Sequence, residues 1–181
     1  TGLRAVDGFV ATLMALAEAE DAPAVVKRAR SRCIDAMLDA HFHTGGLKVA
    51  IGADPDLLFA LGSALVDTGA EITAAASTSW SNPVLARVPT EEVAIADLGE
   101  LERRAGDGAE LLVTHAHGRQ AAERLGLPLV RAGFPIFDRL GAQDVCRVGY
   151  GGTRAFLLEI ANAVQGRMHD PRPEDFGAAP P

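Results

Sequence analysis

The group in this chain best suited to chemistry is His115-Ala-His117, at the end of a short apolar run, Leu111–Thr114. Alternate residues of an extended chain share a face, so both imidazoles can point at one ion. Asp54 and Asp56, at the end of an earlier apolar run, are the partners that a two-His, two-Asp mononuclear site would need. The structural alternative is the commoner one. One histidine caps the turn that begins at Gly118 and the other packs or faces water, because a strand-end H-x-H is weakly specific. His41 and His43 repeat the spacing at a helix end, with the same weakness. Arg131, Asp138 and Arg139 surround an irregular, Pro-containing piece at 133–139, where they suit a loop brace of charge-assisted hydrogen bonds better than catalysis.

Other chemistries lack their residues. A dinucleotide fingerprint needs G-x-G-x-x-G between the first strand and its helix, but the chain reads Gly52-Ala53-Asp54-Pro55-Asp56 there. Two carboxylates would meet a pyrophosphate in place of free backbone N–H groups. There is no P-loop lysine motif, and no Ser-His-Asp or Cys-His arrangement stands out. Cys33 and Cys146 lie far apart in no metal-binding spacing. Gly118 and the 149–153 turn each open a helix whose first amides can receive an anion. No catalytic residue and no metal ligand is nominated. His117, Gly118 and Arg131 are the candidate cofactor-binding residues, chosen by position.

That position follows from the elements around them. Apolar residues recur at helical spacing over 3–18, and again from Pro23 to about Ala40 along Val26, Ala29, Cys33 and Met37. Lys27, Arg28, Arg30, Arg32 and Asp35 form the polar face of this second helix. Gly45 and Gly46 then turn the chain. Strands are expected at 48–53, 71–77, 93–96, 111–114 and 129–132, with helices at 55–68, 98–105, 119–125 and 153–165 between and after them. Asp54 is the expected N-cap and Pro55 the first residue of the 55–68 helix. The Asn82-Pro83 connection has room for only a turn or two.

Strand and helix alternation with short crossovers reads as right-handed βαβ units. The expected fold is α/β, a three-layer Rossmann-like domain with a five-stranded parallel sheet in the order 3-2-1-4-5. A helical lead-in occupies 1–44, the Rossmann-like domain 45–168 and a flexible, Pro-rich tail 169–181. Ligands in such sheets bind at strand carboxyl ends where the order reverses, which brings 53–56 beside 115–118.

Composition bounds the partners. The chain has 181 residues, 48% hydrophobic and 23% charged, with a net charge of -7. Such an excess of acid disfavours nucleic acid and anionic membrane surfaces. No apolar run approaches a membrane span and no signal segment opens the chain. A reduced, cytoplasmic protein is expected. The chain opens at Thr1 without a methionine, as a fragment or processed product would.

A longer pattern gives a resemblance. His117-Gly118, then Pro128-Leu129-Val130-Arg131-Ala132-Gly133-Phe134-Pro135-Ile136-Phe137-Asp138-Arg139, then Gly149-Tyr150-Gly151-Gly152 resembles the carboxyl-terminal part of β-type chains of the nitrogenase component 1 superfamily. Asp39-Ala40-His41, Gly46, the run 48–56 and Gly69-Ala70-Glu71 match the same chains in order, so the likeness covers roughly residues 30 to 165. The runs 35–42 and 82–89, Asp97-Leu98, Leu101-Glu102 and 117–122 are most similar to the scaffold branch, on which the nitrogenase iron–molybdenum cofactor is built.

The resemblance implies a scaffold subunit in a heterotetramer with the E subunit, and contact with the nitrogenase iron protein. It also implies an iron–sulfur cluster and a cofactor precursor in the full complex, with none held by this fragment. The superfamily is oxidoreductase-like, yet catalysis by the fragment alone is not expected. The family's cluster-ligating cysteines fall in an amino-terminal half that this chain lacks, and Cys33 and Cys146 do not match them. The cofactor-holding partner type has a histidine near the position of Gly133-Phe134, where neither residue here can ligate iron. Two other readings stay open: a β-type subunit of nitrogenase or a related tetrapyrrole reductase, and a small metal-dependent α/β enzyme using His115 and His117.

Overall fold

The computed structural model describes residues 1–80 and 82–169. In chain order the elements are helices α1 (Leu3–Leu16) and α2 (Ala24–Thr44), strand β1 (Lys48–Gly52), α3 (Pro55–Val66), β2 (Glu71–Ser77), β3 (Ala94–Ile95), α4 (Leu98–Ala105), β4 (Leu111–Thr114), α5 (Arg119–Leu125), β5 (Leu129–Arg131) and α6 (Gly149–His169). A short 3-10 turn at Pro83–Arg87 stands where a crossover helix between β2 and β3 would be. All four strand pairings are parallel and the order is β3-β2-β1-β4-β5, as expected.

Period-two alternation divides the two faces of the sheet. Val49, Ile51, Leu111 and Val113 face one side, where α3 brings Leu58, Leu61 and Leu65 and α6 brings Phe156, Leu157 and Ile160. Ala50, Ala74, Ala76, Ala94 and Leu112 face the other, under Leu101 and Ala105 of α4 and Ala121 and Ala122 of α5. The first face is built from large aliphatic groups and the second mostly from alanine, so α4 and α5 sit close to the strands. Phe156, Leu157 and Ile160 are completely buried. Each stabilises the fold by roughly 1.5–3 kcal/mol relative to an exposed side chain.

A third cluster, Val6, Cys33 and Tyr150, holds α1 and α2 against α6. At its edge the Tyr150 hydroxyl donates to Asp7 at 2.6 Å, and Arg30 makes a two-pronged pair with the same carboxylate. The basic face of α2 therefore contributes one tertiary anchor. Cys33 is fully buried, and that burial raises its thiol pKa.

Several boundaries differ from those expected. α2 continues through the histidine pair to Thr44, because Thr44 and His41 both find the Thr68 carbonyl beyond α3. α6 begins at Gly149 and not at Thr153. The glycines there do not delay the helix: a Cβ on Gly152 would lie 2.3 Å from the Arg147 backbone, so glycine permits a close crossing. Asp54 is the N-cap of α3, but only its carbonyl serves, accepting from Leu58 N–H at 2.8 Å, while its side chain makes no capping bond. β3 is two residues long, a short edge strand. Among the described residues no helix is long and apolar enough to cross a membrane. The tail expected over 169–181 lies, from residue 170 onward, outside the described residues.

Candidate functional site

The carboxyl ends of all five strands open on one cleft of about 160 Å3. Gly52, Ala53 and Asp54 come from β1, Ser77 and Thr78 from β2, and Ala96 and Asp97 from β3. Thr114 and His115 follow from β4, and Ala132, Gly133 and Phe134 from β5. This is the switch point that the strand order requires.

Its floor holds Thr114, a fully buried threonine whose hydroxyl has no hydrogen-bond partner among the described residues. Its rim carries the carboxylates of Asp54 and Asp97, and no lysine or arginine lines it. Asp97 is engaged as the N-cap of α4, accepting from Gly99 and Glu100 N–H at 3.0 and 3.1 Å. Such a lining repels a phosphate, in agreement with the failed dinucleotide fingerprint.

His115 is the cap of the 3-10 turn Ala116–Gly118, with Nδ1 accepting from His117 N–H at 3.4 Å. With Nδ1 as acceptor, the ring proton sits on Nε2. Burial, and then the neighbouring His117, lower its pKa, against a smaller opposing pull from Asp54. His115 is therefore neutral at pH 7. His117 is exposed and does not line the cleft; its ring meets His115 edge-on at 5.4 Å and Phe137 at 5.1 Å. Among the described residues no three His, Cys, Asp or Glu side chains come close enough to hold a metal ion. The four-residue site of His115, His117, Asp54 and Asp56 is thus not assembled. Asp56 sits exposed in the first turn of α3, and His117 points elsewhere.

Gly118 is buried and its amide donates to the His115 carbonyl at 3.0 Å. A Cβ there would lie 2.2 Å from Thr114 Cγ2. Its role is close contact between the turn and β4, and it does not line the cleft. Arg131 is bound to Asp138 through three contacts of 2.6–2.9 Å, with both side chains mostly buried. That bond holds the Asp138 carboxyl below its ordinary pKa. Arg131 also faces away from the switch-point cleft, into a second groove.

The structure therefore separates the three candidate cofactor-binding residues. None lines the switch-point cleft; Gly118 and Arg131 have structural tasks, and His117 is exposed.

Sequence reasoning missed Arg147, which completes the brace where Arg139 was expected to. Its Nη2 donates to the Arg131 carbonyl at 2.7 Å and pairs with Glu159 at 2.8 Å, while its guanidinium lies 5.3 Å over the Phe156 ring. Ala116 N–H bonded to the Pro135 carbonyl ties the 133–139 piece to the β4 turn. Thr114 was also missed; a lone polar residue closing an apolar strand was the available signal.

Comparison with known proteins places this architecture. A sequence profile described as "Nitrogenase component 1 type Oxidoreductase" matches residues 1–165. The "Nitrogenase iron-molybdenum cofactor biosynthesis protein NifN" of Rhodobacter capsulatus is 61% identical over 181 residues, covering 99% of this chain and 39% of that protein. The protein of the same name from Mesorhizobium japonicum is 50% identical over 174 residues, covering 96% and 37%. A solved chain titled "Nitrogenase Cp1 at pH 6.5" superposes with a TM-score of 0.88 at 28% identity, over 99% of this chain and 42% of that one. The chain thus spans about two-fifths of the length of the relatives it matches.

Proposed function

The chain belongs to the nitrogenase component 1 type oxidoreductase family, and from that premise we propose that it is the carboxyl-terminal portion of an N-type scaffold subunit that serves iron–molybdenum cofactor biosynthesis in the cytoplasm. One observation carries this reading: the relatives named NifN match nearly the whole chain at up to 61% identity, against 28% for the solved nitrogenase chain. The geometry agrees. The groups best suited to chemistry are engaged in positioning: His115 caps a turn, Arg131 holds Asp138, and Gly118 sits against β4.

In this reading the domain is a rigid wall of a larger assembly. The full polypeptide pairs with the E subunit as a heterotetramer and meets the nitrogenase iron protein. The iron–sulfur cluster and the cofactor precursor belong to that complex, and this portion supplies no ligand. Five strand ends, the Arg131–Asp138–Arg147 brace and the 116–135 tie keep the wall stiff.

The test is copurification. The full-length polypeptide, coexpressed with a tagged E subunit, is expected to be retained in equimolar amount, and cells lacking it are expected to fail to mature the cofactor. Stoichiometric iron or zinc on the isolated 181-residue chain, lost in His117→Ala, would overturn the reading in favour of a metal enzyme.

A further inference from the structure

Below the 133–139 piece lies a larger groove of about 730 Å3 that the proposed function leaves without a role. Its apolar walls are Leu57 of α3, Ile136, Leu140 and Val145 of the irregular segment, and Ala163 of α6. Leu140 is completely exposed and Val145 half exposed, and the next apolar residue along the chain, Val148, is exposed as well. Arg131, Arg139, Arg147 and Glu159 line the rest of it; scattered exposed apolar residues need no explanation, but several gathered in one groove mark an interface.

Two polar features narrow the occupant. Arg147 stands on the groove wall, its guanidinium held by the Arg131 carbonyl, Glu159 and the Phe156 ring. The first residue of the chain is also pinned at this place: the Thr1 hydroxyl donates to the Arg147 carbonyl at 2.5 Å, and Gly2 N–H donates to Thr153 Oγ1 at 3.0 Å.

We propose that this groove seats the polypeptide that precedes Thr1 in the full-length subunit, through an apolar segment. The inference rests on the reading above, in which this chain is the carboxyl-terminal portion of a longer one. Relatives of which the chain covers only 39% and 37% leave most of the protein outside it. In that reading the preceding polypeptide enters at Thr1, whose hydroxyl bonds the carbonyl of the groove residue Arg147. A tethered segment acts at an effective concentration in the millimolar range, so it occupies an adjacent apolar surface ahead of a free partner or a second copy.

Cys146 reports on this surface. It is exposed and lies between the groove residues Val145 and Arg147, whereas Cys33 is fully buried. Labelling with N-ethylmaleimide, read for each cysteine by peptide mass spectrometry, is expected to modify Cys146 and spare Cys33 in the 181-residue chain. In the full-length polypeptide purified without the E subunit, Cys146 is expected to react about tenfold more slowly, as for a surface uncovered about a tenth of the time. Leu140→Asp is expected to return the full-length rate to that of the short chain, while leaving the short chain's melting temperature unchanged, since Leu140 packs on nothing there.

Equal Cys146 rates in the two polypeptides would overturn the proposal. So would protection that arises only on adding the E subunit, or protection of the short chain that grows with its own concentration. A native polypeptide with an intact mass near 18.9 kDa would instead remove the reading on which the proposal depends.

Discussion

At Gly118 a methyl group would fall 2.2 Å from Thr114 Cγ2, so the residue's value is what it lacks. Gly118→Ala is expected to destabilise the domain by roughly 1–3 kcal/mol through overpacking. Thr114→Ser removes the opposing methyl and should recover part of that loss, and a double-mutant cycle by urea unfolding checks the coupling. The Arg131–Asp138 pair is the second residue-scale device. With side-chain exposures of 12% and 15%, it behaves as a buried pair. Asp138→Ala leaves the guanidinium without its carboxylate, and a lower urea midpoint is expected in the same measurement.

At the scale of elements, α1 is the least secured piece of the described fold. Val6 is its only buried residue, while Phe9, Leu13 and Leu16 face solvent. Its attachment therefore leans on the Asp7 contacts with Tyr150 and Arg30. Burial, and then the same bond, raise the Tyr150 hydroxyl pKa to about 12. Tyr150→Phe removes a hydrogen bond to a charged group, an expected loss of roughly 1.5–3 kcal/mol. Hydrogen exchange should quicken through α1 and leave β1, β4 and the buried half of α6 protected. A uniform rise across the sheet would show that α1 is not a separate unit.

For the whole molecule, pH sums the shifts. His115 is held below its ordinary value of 6.5. The unfolded chain therefore takes up a proton near that pH before the folded one does, and stability falls as pH drops below it. Asp138 and Glu100 are carboxylates with depressed pKa values, Glu100 at about 2 through its bonds to Arg103 and Arg104. Their contributions are present above the ordinary carboxylate range and are lost as pH falls toward 2. The melting temperature is expected to decline from pH 7 to pH 3 in two stages. His115→Gln should flatten the upper stage and Asp138→Asn the lower; a melting curve that rises on acidification would contradict both assignments.

How much of this was legible in the residues differs from one feature to the next. Local patterns were enough for β2, β4, α4 and α5, whose bounds match those expected, because a short apolar strand or a capped helix is specified by its own neighbours. The 3-2-1-4-5 order followed from short parallel crossovers, which leave few arrangements. The run of motifs from 117 to 152 carried the family, and the family profile agrees. Three-dimensional packing alone decided what the reactive side chains do. His117 and Asp56 stand close in any plausible list of ligands, yet the turn after β4 points one away while the first turn of α3 exposes the other. Arg147, not Arg139, closes the brace, since only residue 147 lands under the Arg131 carbonyl and over Phe156. Spacing along a chain fixes which face a residue is on, but contacts between distant segments depend on how elements dock, and that is set by the summed packing of the core.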